Sequence, residues 1–400
     1  MPTRDDAEAL DRDDPIASVR DRFVIPDPAV VYLNGNSLGR LPKATLEHLS
    51  RVVEGAWADG LVRSWDEWIA TGARASELVG SLVGALPGET LVADSTTVNL
   101  YKLLWAATND RPGAIVVPDD EFPTDRFVAE AVADQLGRRL VHRLDDVAGP
   151  IAVVAQSIVH WQTGAIADVA AATAAGHQRG AHVLWDCSHA IGSVPVDLHA
   201  IGADLAVGCS YKHLCGGPGA PAWLWVRADL HPRLRQPIWG WWGQRGAFAT
   251  GPRYDPEPGI AAWASGTPPV LGLAGVEAGA ALVADVGVDA IRAKSQQLTA
   301  FALAVHDEAL APMGTRWASP RDVTRVGGHV AIAHEHAAPI VLALRARDVV
   351  PDFRAPDLVR AGLNPLTTRF ADVFDGLDAM ADVLRTGAWQ AHVGAAARVT

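Results

Sequence analysis

The sequence predicts an α/β protein in which a large domain holds a mostly parallel, seven-stranded sheet and a smaller α+β domain follows. From about residue 90, short apolar segments alternate with helical segments, which is typical of a doubly wound parallel sheet. After residue 270 the pattern changes to long helices, a short strand and a terminal helix near 370–386. The seven candidate strands are TLVAD, GAIVVP, RRLVHRL, IAVVAQ, AHVLWD, DLAVGCS and APAWLWV.

These patterns divide the chain into three regions. A length of 400 residues exceeds one typical core, so a large and a small domain are expected. We predict an N-terminal arm over 1–44 that joins the small domain, a large domain over 45–270 and a small domain over 271–400.

Composition excludes several classes of protein. The net charge is −12 and no basic stripe interrupts it, so we expect no nucleic-acid or membrane partner. No apolar run approaches the ~20 residues of a membrane-spanning helix, and the acidic start is no secretory signal. Three cysteines without a CxxC pair predict neither disulfide nor metal site and favour the cytoplasm.

Lysine is scarce, which narrows the search for a nucleophilic amine. The only lysines are Lys43, Lys102, Lys212 and Lys294. Lys212 follows the candidate strand DLAVGCS and precedes a glycine-rich turn, where a ligand can approach closely. The other three are interpreted as solvated side chains.

Two more motifs stand at candidate strand ends. Ser95, Thr96 and Thr97 open a helix whose free N–H groups suit a phosphate, although they also suit an ordinary helix cap. Asp186 ends the strand AHVLWD and either caps a following helix or pairs with a buried cation. A lysine for an aldehyde carbon, an aspartate for a ring nitrogen and a helix N-terminus for a phosphate are what pyridoxal phosphate (PLP) requires.

The chain resembles kynureninase, a fold-type-I PLP enzyme that cleaves kynurenine to anthranilate and alanine. The resemblance spans residues 31–370. The stretches that carry it include YLNGNSLG, DSTTVNL, EFPTD, DCSHAIGSVPV, GADLAVGCSYK, GWWG, GTPPVL and PDFRAPDLVRAGLNPL. It implies a homodimer with PLP at the subunit interface and a small amino-acid substrate.

The resemblance also implies a role for each matching residue. Lys212, Asp186 and Tyr211 would be catalytic. Trp241 and Thr267 would reach the phosphate of the other subunit, and Phe122 would stack on the ring. Arg360 would bind the substrate carboxylate, with Ser37 and Asn36 lining the same pocket. The implied cofactor contacts are Thr96, Thr97, Phe122, Asp125, Ser157, Asp186, His189, Tyr211, Lys212, Trp241 and Thr267.

Departures from the family pattern leave the substrate open. Gln244 replaces a histidine, Thr367 replaces a tyrosine, and His213, Cys215 and the segment His160-Trp161-Gln162 differ too. They indicate either a changed substrate, with kynurenine a poor one, or tolerated variation. The rival activities are β-elimination or decarboxylation with deamination on another amino acid, such as an S-substituted cysteine. Cysteine desulfuration, transamination and an inactive PLP-fold binding protein are less favoured.

Overall fold

The computed structural model describes residues 2–247 and 253–395, so Met1 of the predicted arm, 248–252 of the predicted large domain and 396–400 of the predicted small domain lie outside the described residues. The strands are β1 (Val31–Tyr32), β2 (Thr90–Val92), β3 (Ala114–Val116), β4 (Leu140–Val141), β5 (Ile151–Ser157), β6 (His182–Asp186), β7 (Leu205–Gly208), β8 (Trp223–Val226), β9 (Arg316–Trp317), β10 (His329–Ala333), β11 (Val349–Val350), β12 (Asp352–Arg354) and β13 (Leu358–Gly362). The α-helices are α1 (Arg4–Arg12), α2 (Lys43–Ser50), α3 (Trp65–Ser81), α4 (Thr96–Asp110), α5 (Pro123–Leu136), α6 (Val169–Gln178), α7 (Val270–Val286), α8 (Val288–Val305), α9 (Ala337–Arg345) and α10 (Phe370–Thr386).

The large sheet has the strand order β2-β8-β7-β6-β5-β3-β4. Only β8 runs antiparallel to its neighbours, so the predicted mostly parallel sheet of seven strands is confirmed. Helices cover both faces, as the apolar character of the strands requires. Leu103 of α4 and Val132 of α5 pack on one face, while Val79 of α3 and Leu273 of α7 pack on the other.

A second, antiparallel sheet has the order β12-β13-β10-β9 and lies against α8, α9 and α10. The N-terminal arm packs there as well. β1 pairs in parallel with β11, and Ala7 of α1 is buried in the same apolar cluster as Leu377 of α10. The division into arm, large domain and small domain remains a proposal, and α7 shares its core with the large sheet.

No single helix of the described residues is long and apolar enough to cross a membrane. Together, α7 and the helical stretch Val288–Met313 meet the criterion of length and composition, but they bend by 78° at their junction.

Candidate functional site

The carboxyl ends of β5, β6 and β7 lie side by side and carry polar residues. Ser157 ends β5 and is the register partner of Asp186, which ends β6. β7 ends at Gly208 and leads through a short turn to Lys212. The sheet topology therefore brings the predicted aspartate and lysine to one edge, where ligands bind in open α/β sheets.

Two contacts fix the position of Lys212. Its Nζ lies 3.1 Å from Nε2 of His189. The loop that follows Lys212 lies directly on α7, because a Cβ built on Gly279 would stand 2.0 Å from the carbonyl oxygen of Leu214. A larger residue at Gly279 would push this loop, and the lysine with it, away from the sheet edge.

Three carboxyl groups meet beside β5 and β6. Asp125 is hydrogen-bonded to Asp186, which also accepts the N–H of Ser188 at 2.6 Å. Glu121 accepts both the backbone N–H and the hydroxyl of Ser157 at 2.6 Å. Burial, with the nearby charges of Asp186 and Glu121, raises the pKa of Asp125 well above its ordinary value. Burial also raises the pKa of Glu121, against the hydrogen bonds from Ser157. This edge therefore favours a bound cation.

The N-terminus of α4 opens toward the same side of the sheet. Ser95 is the N-cap, and its hydroxyl accepts the N–H of Val98 at 3.3 Å. The first-turn N–H groups of Thr96 and Thr97 have no acceptor within a helix, and both residues are accessible to solvent. The sequence left a helix cap and an anion cradle as alternatives. The two are compatible, because Ser95 supplies the cap and Thr96 and Thr97 supply the free N–H groups.

Aromatic side chains border this edge. Phe122 precedes α5, is 38% exposed and meets Trp161 edge-on, with ring centroids 5.6 Å apart. The Tyr211 ring lies 5.9 Å from Nζ of Lys212. The Cys209 thiol beside it, together with burial, raises the pKa of Tyr211, so its hydroxyl keeps its proton at neutral pH.

Behind Lys212, three buried histidines form a cluster. The ring of His189 lies 5.0 Å from that of His329 and 6.3 Å from that of His213. Burial is the main reason that the pKa values of all three are lowered, to about 3 for His213. They are therefore neutral at physiological pH, and neutral His189 presents one nitrogen that can accept a hydrogen bond from Lys212.

Arg360 lies where the arm and the two sheets meet. Its Nη2 donates to Asp352 at 2.7 Å and to Ser37 at 2.9 Å, and Nη1 donates to the Trp161 carbonyl. With the Asn36 amide oxygen turned toward it, Nε donates to Asn36 at 3.0 Å. The side chain is 1% exposed, and burial is the main cause that lowers its pKa to about 9. All three residues predicted for the substrate pocket thus lie together.

Trp241 and Thr267 lie on a different part of the surface. Trp241 is 36% exposed and packs edge-on against Trp65 and Trp242, and Thr267 is exposed. The predicted role of these two residues concerns the other subunit's phosphate, so it stays a prediction.

The residues that depart from the family pattern lie in three different settings. His213 and the segment 160–162 border Lys212 and Arg360, with Gln162 donating to the Ala355 carbonyl at 2.9 Å. Gln244 instead accepts the N–H of Asp255 at 2.8 Å within its own loop. Two more are buried away from solvent, Cys215 and Thr367.

The expectation that Lys102 and Lys294 are solvated is wrong, whereas Lys43 is exposed. Lys102 is fully buried and bonded to Asp94, and Lys294 is 5% exposed and bonded to Asp14. An ammonium group is buried in a protein only with a counter-charge. Asp14 is far from Lys294 in sequence, so local context did not reveal it, but Asp94 lies only eight residues before Lys102, and that pairing was missed.

Sequence reasoning missed three residues of the site. Glu121 begins the quoted motif EFPTD, and its place beside Asp125 was a usable signal. Asp352 stands opposite Arg360 in the β12–β13 pair, a register that a predicted hairpin over DFRAPDLVR would have suggested. His329 gave no signal, because a lone histidine in a strand is usually part of the core.

The residues at this edge fit pyridoxal phosphate. Buried carboxyl groups at one point are unfavourable unless a cation joins them, and a protonated pyridine nitrogen is such a cation. The first turn of α4 suits the phosphate dianion. Lys212 supplies the amine that binds the aldehyde carbon.

Comparison with known proteins agrees with this fit. A kynureninase C-terminal domain model matches residues 291–380. The chain is 39% identical to the kynureninase of Burkholderia pseudomallei (strain 1106a), over 98% of both proteins. It is 38% identical to the kynureninase of Pseudomonas fluorescens, over 97% of both.

Solved structures of PLP enzymes share the fold. The cysteine desulfurase of Thermococcus onnurineus NA1, at 18% identity, superposes with a TM-score of 0.80 and covers 92% of this chain and 98% of its own. A C-DES variant with glycine covalently linked to the PLP cofactor, at 17% identity, has a TM-score of 0.80 over 96% of this chain and all of its own.

Proposed function

This chain belongs to the kynureninase family of PLP-dependent enzymes, and from that premise we propose that it hydrolyses the Cβ–Cγ bond of kynurenine or a related aryl-keto amino acid. Water supplies a hydroxyl to the acyl carbon and a hydrogen to Cβ, which releases alanine and an aromatic acid. The observation that carries the proposal is the match to curated kynureninases over 98% of the chain. The convergence of Lys212, Asp186 and the start of α4 at one sheet edge supports it.

When bound, PLP draws electron density away from the Cα of an amino-acid substrate. Thr96 and Thr97 would hold its phosphate, Phe122 would cover its ring, and Lys212 would bind its aldehyde carbon. Asp186 would face the ring nitrogen and keep a proton there. Asp125, protonated because its pKa is raised, donates a hydrogen bond to Asp186 and keeps that carboxylate in place.

Lys212 is the base that takes the proton from Cα. Its nitrogen must be neutral for this, and neutral His189 at 3.1 Å holds it without adding a positive charge. Tyr211 lies beside it with its hydroxyl protonated, because the Cys209 thiol and burial raise its pKa. Tyr211 therefore carries a proton at neutral pH, and we propose that it donates or relays this proton to Cβ as the bond to Cγ breaks.

Arg360 would bind the substrate α-carboxylate. Its guanidinium is held in place by Asp352, Ser37 and the Trp161 carbonyl, so a carboxylate would find it already oriented. Because Arg360 is almost fully buried, the substrate must compete with these contacts. The pocket therefore favours a small carboxylate over bulkier anions.

We also propose that the enzyme is a homodimer. Trp57, Ile69 and Leu271 are exposed and border two adjoining grooves that share Trp68. Exposed apolar surface of this kind is typical of a protein interface. Trp242 borders one of these grooves, and its neighbour Trp241 would then face the second subunit, as the phosphate role requires. An active monomer in sedimentation at the assay concentration would refute the dimer.

A cytoplasmic location is part of the proposal. The three cysteines are buried and free, which suits a reducing compartment.

Substrate profiling tests the reaction. Purified enzyme would be incubated with kynurenine, 3-hydroxykynurenine and S-substituted cysteines, and products identified by mass. Alanine together with anthranilate or its hydroxy derivative, at a kcat/KM near about 10⁴ M⁻¹s⁻¹ or above, is the expected result. Pyruvate and a thiol from an S-substituted cysteine, without turnover of kynurenine, would favour the changed-substrate alternative. The position of His213 and Trp161 beside Lys212 and Arg360 is the observation behind that alternative.

A further inference from the structure

Lys102, in the second turn of α4, is an ammonium group with no access to solvent. Its Nζ donates to Oδ2 of Asp94 at 2.6 Å and to the carbonyl oxygen of Trp263 at 2.7 Å. Burying a charge of this kind is unfavourable unless it is paired and hydrogen-bonded, and these two contacts supply both conditions.

Asp94 lies at the entrance of the phosphate cradle. It follows β2 and stands directly before Ser95, the N-cap of α4, with a φ of 50° that a non-glycine residue rarely adopts. Its carboxylate is partly exposed beside the first turn that holds Thr96 and Thr97. An unpaired carboxylate there would repel a phosphate dianion, and the Lys102 ammonium neutralises it.

The contact with Trp263 reaches a second segment. Trp263 lies shortly before Thr267, the residue expected at the phosphate of the other subunit. The intervening Ser265 accepts the N–H of Trp242, so this segment is also joined to the loop that carries Trp241. One buried ammonium group therefore contacts both the cradle of its own chain and the segment that leads to the partner's cradle.

We propose that Lys102 is a positioning residue for the cofactor phosphate, acting by neutralising Asp94 at the cradle and by holding the segment that carries Thr267. The inference rests on the proposed phosphate site. It deepens that assignment, because it explains why an acidic residue stands beside an anion site.

The chain contains a matched control. Lys294 of α8 is also buried and pairs with Asp14 at 2.7 Å, in the contact between the N-terminal arm and the small domain. Loss of Lys294 leaves the buried Asp14 without its counter-charge, and loss of Lys102 leaves the partly exposed Asp94 without its own. Only Lys102 is near the cradle, so a general loss of stability and a specific loss at the phosphate are separable.

The experiment compares Lys102→Met, Asp94→Asn, the double variant and Lys294→Met. For each, apoprotein is titrated with PLP at a temperature where circular dichroism shows it folded. The ³¹P shift of the bound cofactor and the urea unfolding midpoint are also measured. The wild-type titration is the reference, and a wild type that binds no PLP would overturn the proposed function itself.

We expect Lys102→Met to weaken PLP binding by about tenfold or more, since a unit charge is left unscreened beside a dianion. Its ³¹P shift should move. Asp94→Asn should bind PLP as tightly as wild type or more tightly, and the double variant should recover most of the affinity. Lys294→Met should lower the unfolding midpoint and leave affinity and ³¹P shift unchanged. Equal PLP affinity in Lys102→Met and Lys294→Met would overturn the inference, as would a loss in Asp94→Asn as large as that in Lys102→Met.

Discussion

The edge of the large sheet and the Arg360 pocket are built in different ways. At the sheet edge, Asp186 ends β6 and Lys212 follows the neighbouring strand β7, so the order of strands in the sheet brings them to the same edge. In the Arg360 pocket, the contacts come from the arm, from the segment after β5 and from the small domain.

The difference separates two kinds of constraint. The sheet edge, which is the cofactor end of the site, depends on sheet topology, and this topology tolerates substitutions in loops that do not contact the sheet. The Arg360 pocket, which is the substrate end, depends on how three parts of the chain pack, so a substitution in any of them changes the contacts of the Arg360 guanidinium. Among the departures from the family pattern, Trp161 contacts Arg360, where a change of substrate would be expected to act, whereas His213 lies behind Lys212 against His189.

The largest effect should come from Lys212→Ala. Turnover should fall by about 10⁴-fold, the upper range for loss of an acid–base group, while folding is retained. Borohydride reduction of wild type followed by peptide mapping should place the cofactor on Lys212, and Lys43→Ala is the exposed control. A label on any other lysine would contradict the assignment of the cofactor end.

Asp186→Asn should lower turnover by about 10²- to 10³-fold with the fold and much of the cofactor retained, because an amide stabilises a protonated ring nitrogen poorly. Asp125→Asn should have a smaller effect, since Asp125 acts through Asp186. Steady-state kinetics and the absorbance of the bound cofactor would measure both. Near-normal turnover in Asp186→Asn would show that the Asp186 carboxylate is not required for catalysis.

Arg360→Ala should lower kcat/KM on every amino-acid substrate by about 10²-fold or more, because a charge-assisted contact is lost and Asp352 is left buried without one of its partners. Arg360→Ala/Asp352→Asn should recover stability but not kcat/KM. PLP affinity should be unchanged in both. A parallel loss of PLP affinity would show that the two ends are not independent.

The smallest effect concerns His213. Its folded pKa of about 3 lies below its ordinary value because of burial, so the unfolded chain binds a proton first as pH falls. Stability is therefore lost as pH falls below about 6.5, by up to ~1.4 kcal/mol per pH unit for this group. In His213→Tyr, the free energy of unfolding measured with urea should fall less steeply between pH 6.5 and 5 than it does in the wild type. An identical pH dependence in the two proteins would contradict a buried neutral histidine.

Much of the fold could be predicted because its signals are local. Each of the seven strands of the large sheet lies within or beside its apolar segment, and α10 coincides with the helix predicted near 370–386. The partner of Lys294 and the contact of Arg360 with the Trp161 carbonyl could not be predicted in this way, because each joins segments that are far apart in sequence. Asp14 and Lys294, for example, lie in the arm and in α8.

The sequence by itself determined the order of strands and helices along the chain, the position of Lys212 after a strand, and the family. Hydrophobic periodicity and short motifs are properties of neighbouring residues, and they persist whatever the rest of the chain does. Only the tertiary structure decided that Asp125 is hydrogen-bonded to Asp186, that Asp352 accepts a hydrogen bond from Arg360, and that Lys102 is buried and paired with Asp94. Each of these contacts depends on burial and on a charge that packing brings close. The free energy of a charge inside a protein is set by the groups that surround it, and a local sequence pattern does not specify those groups.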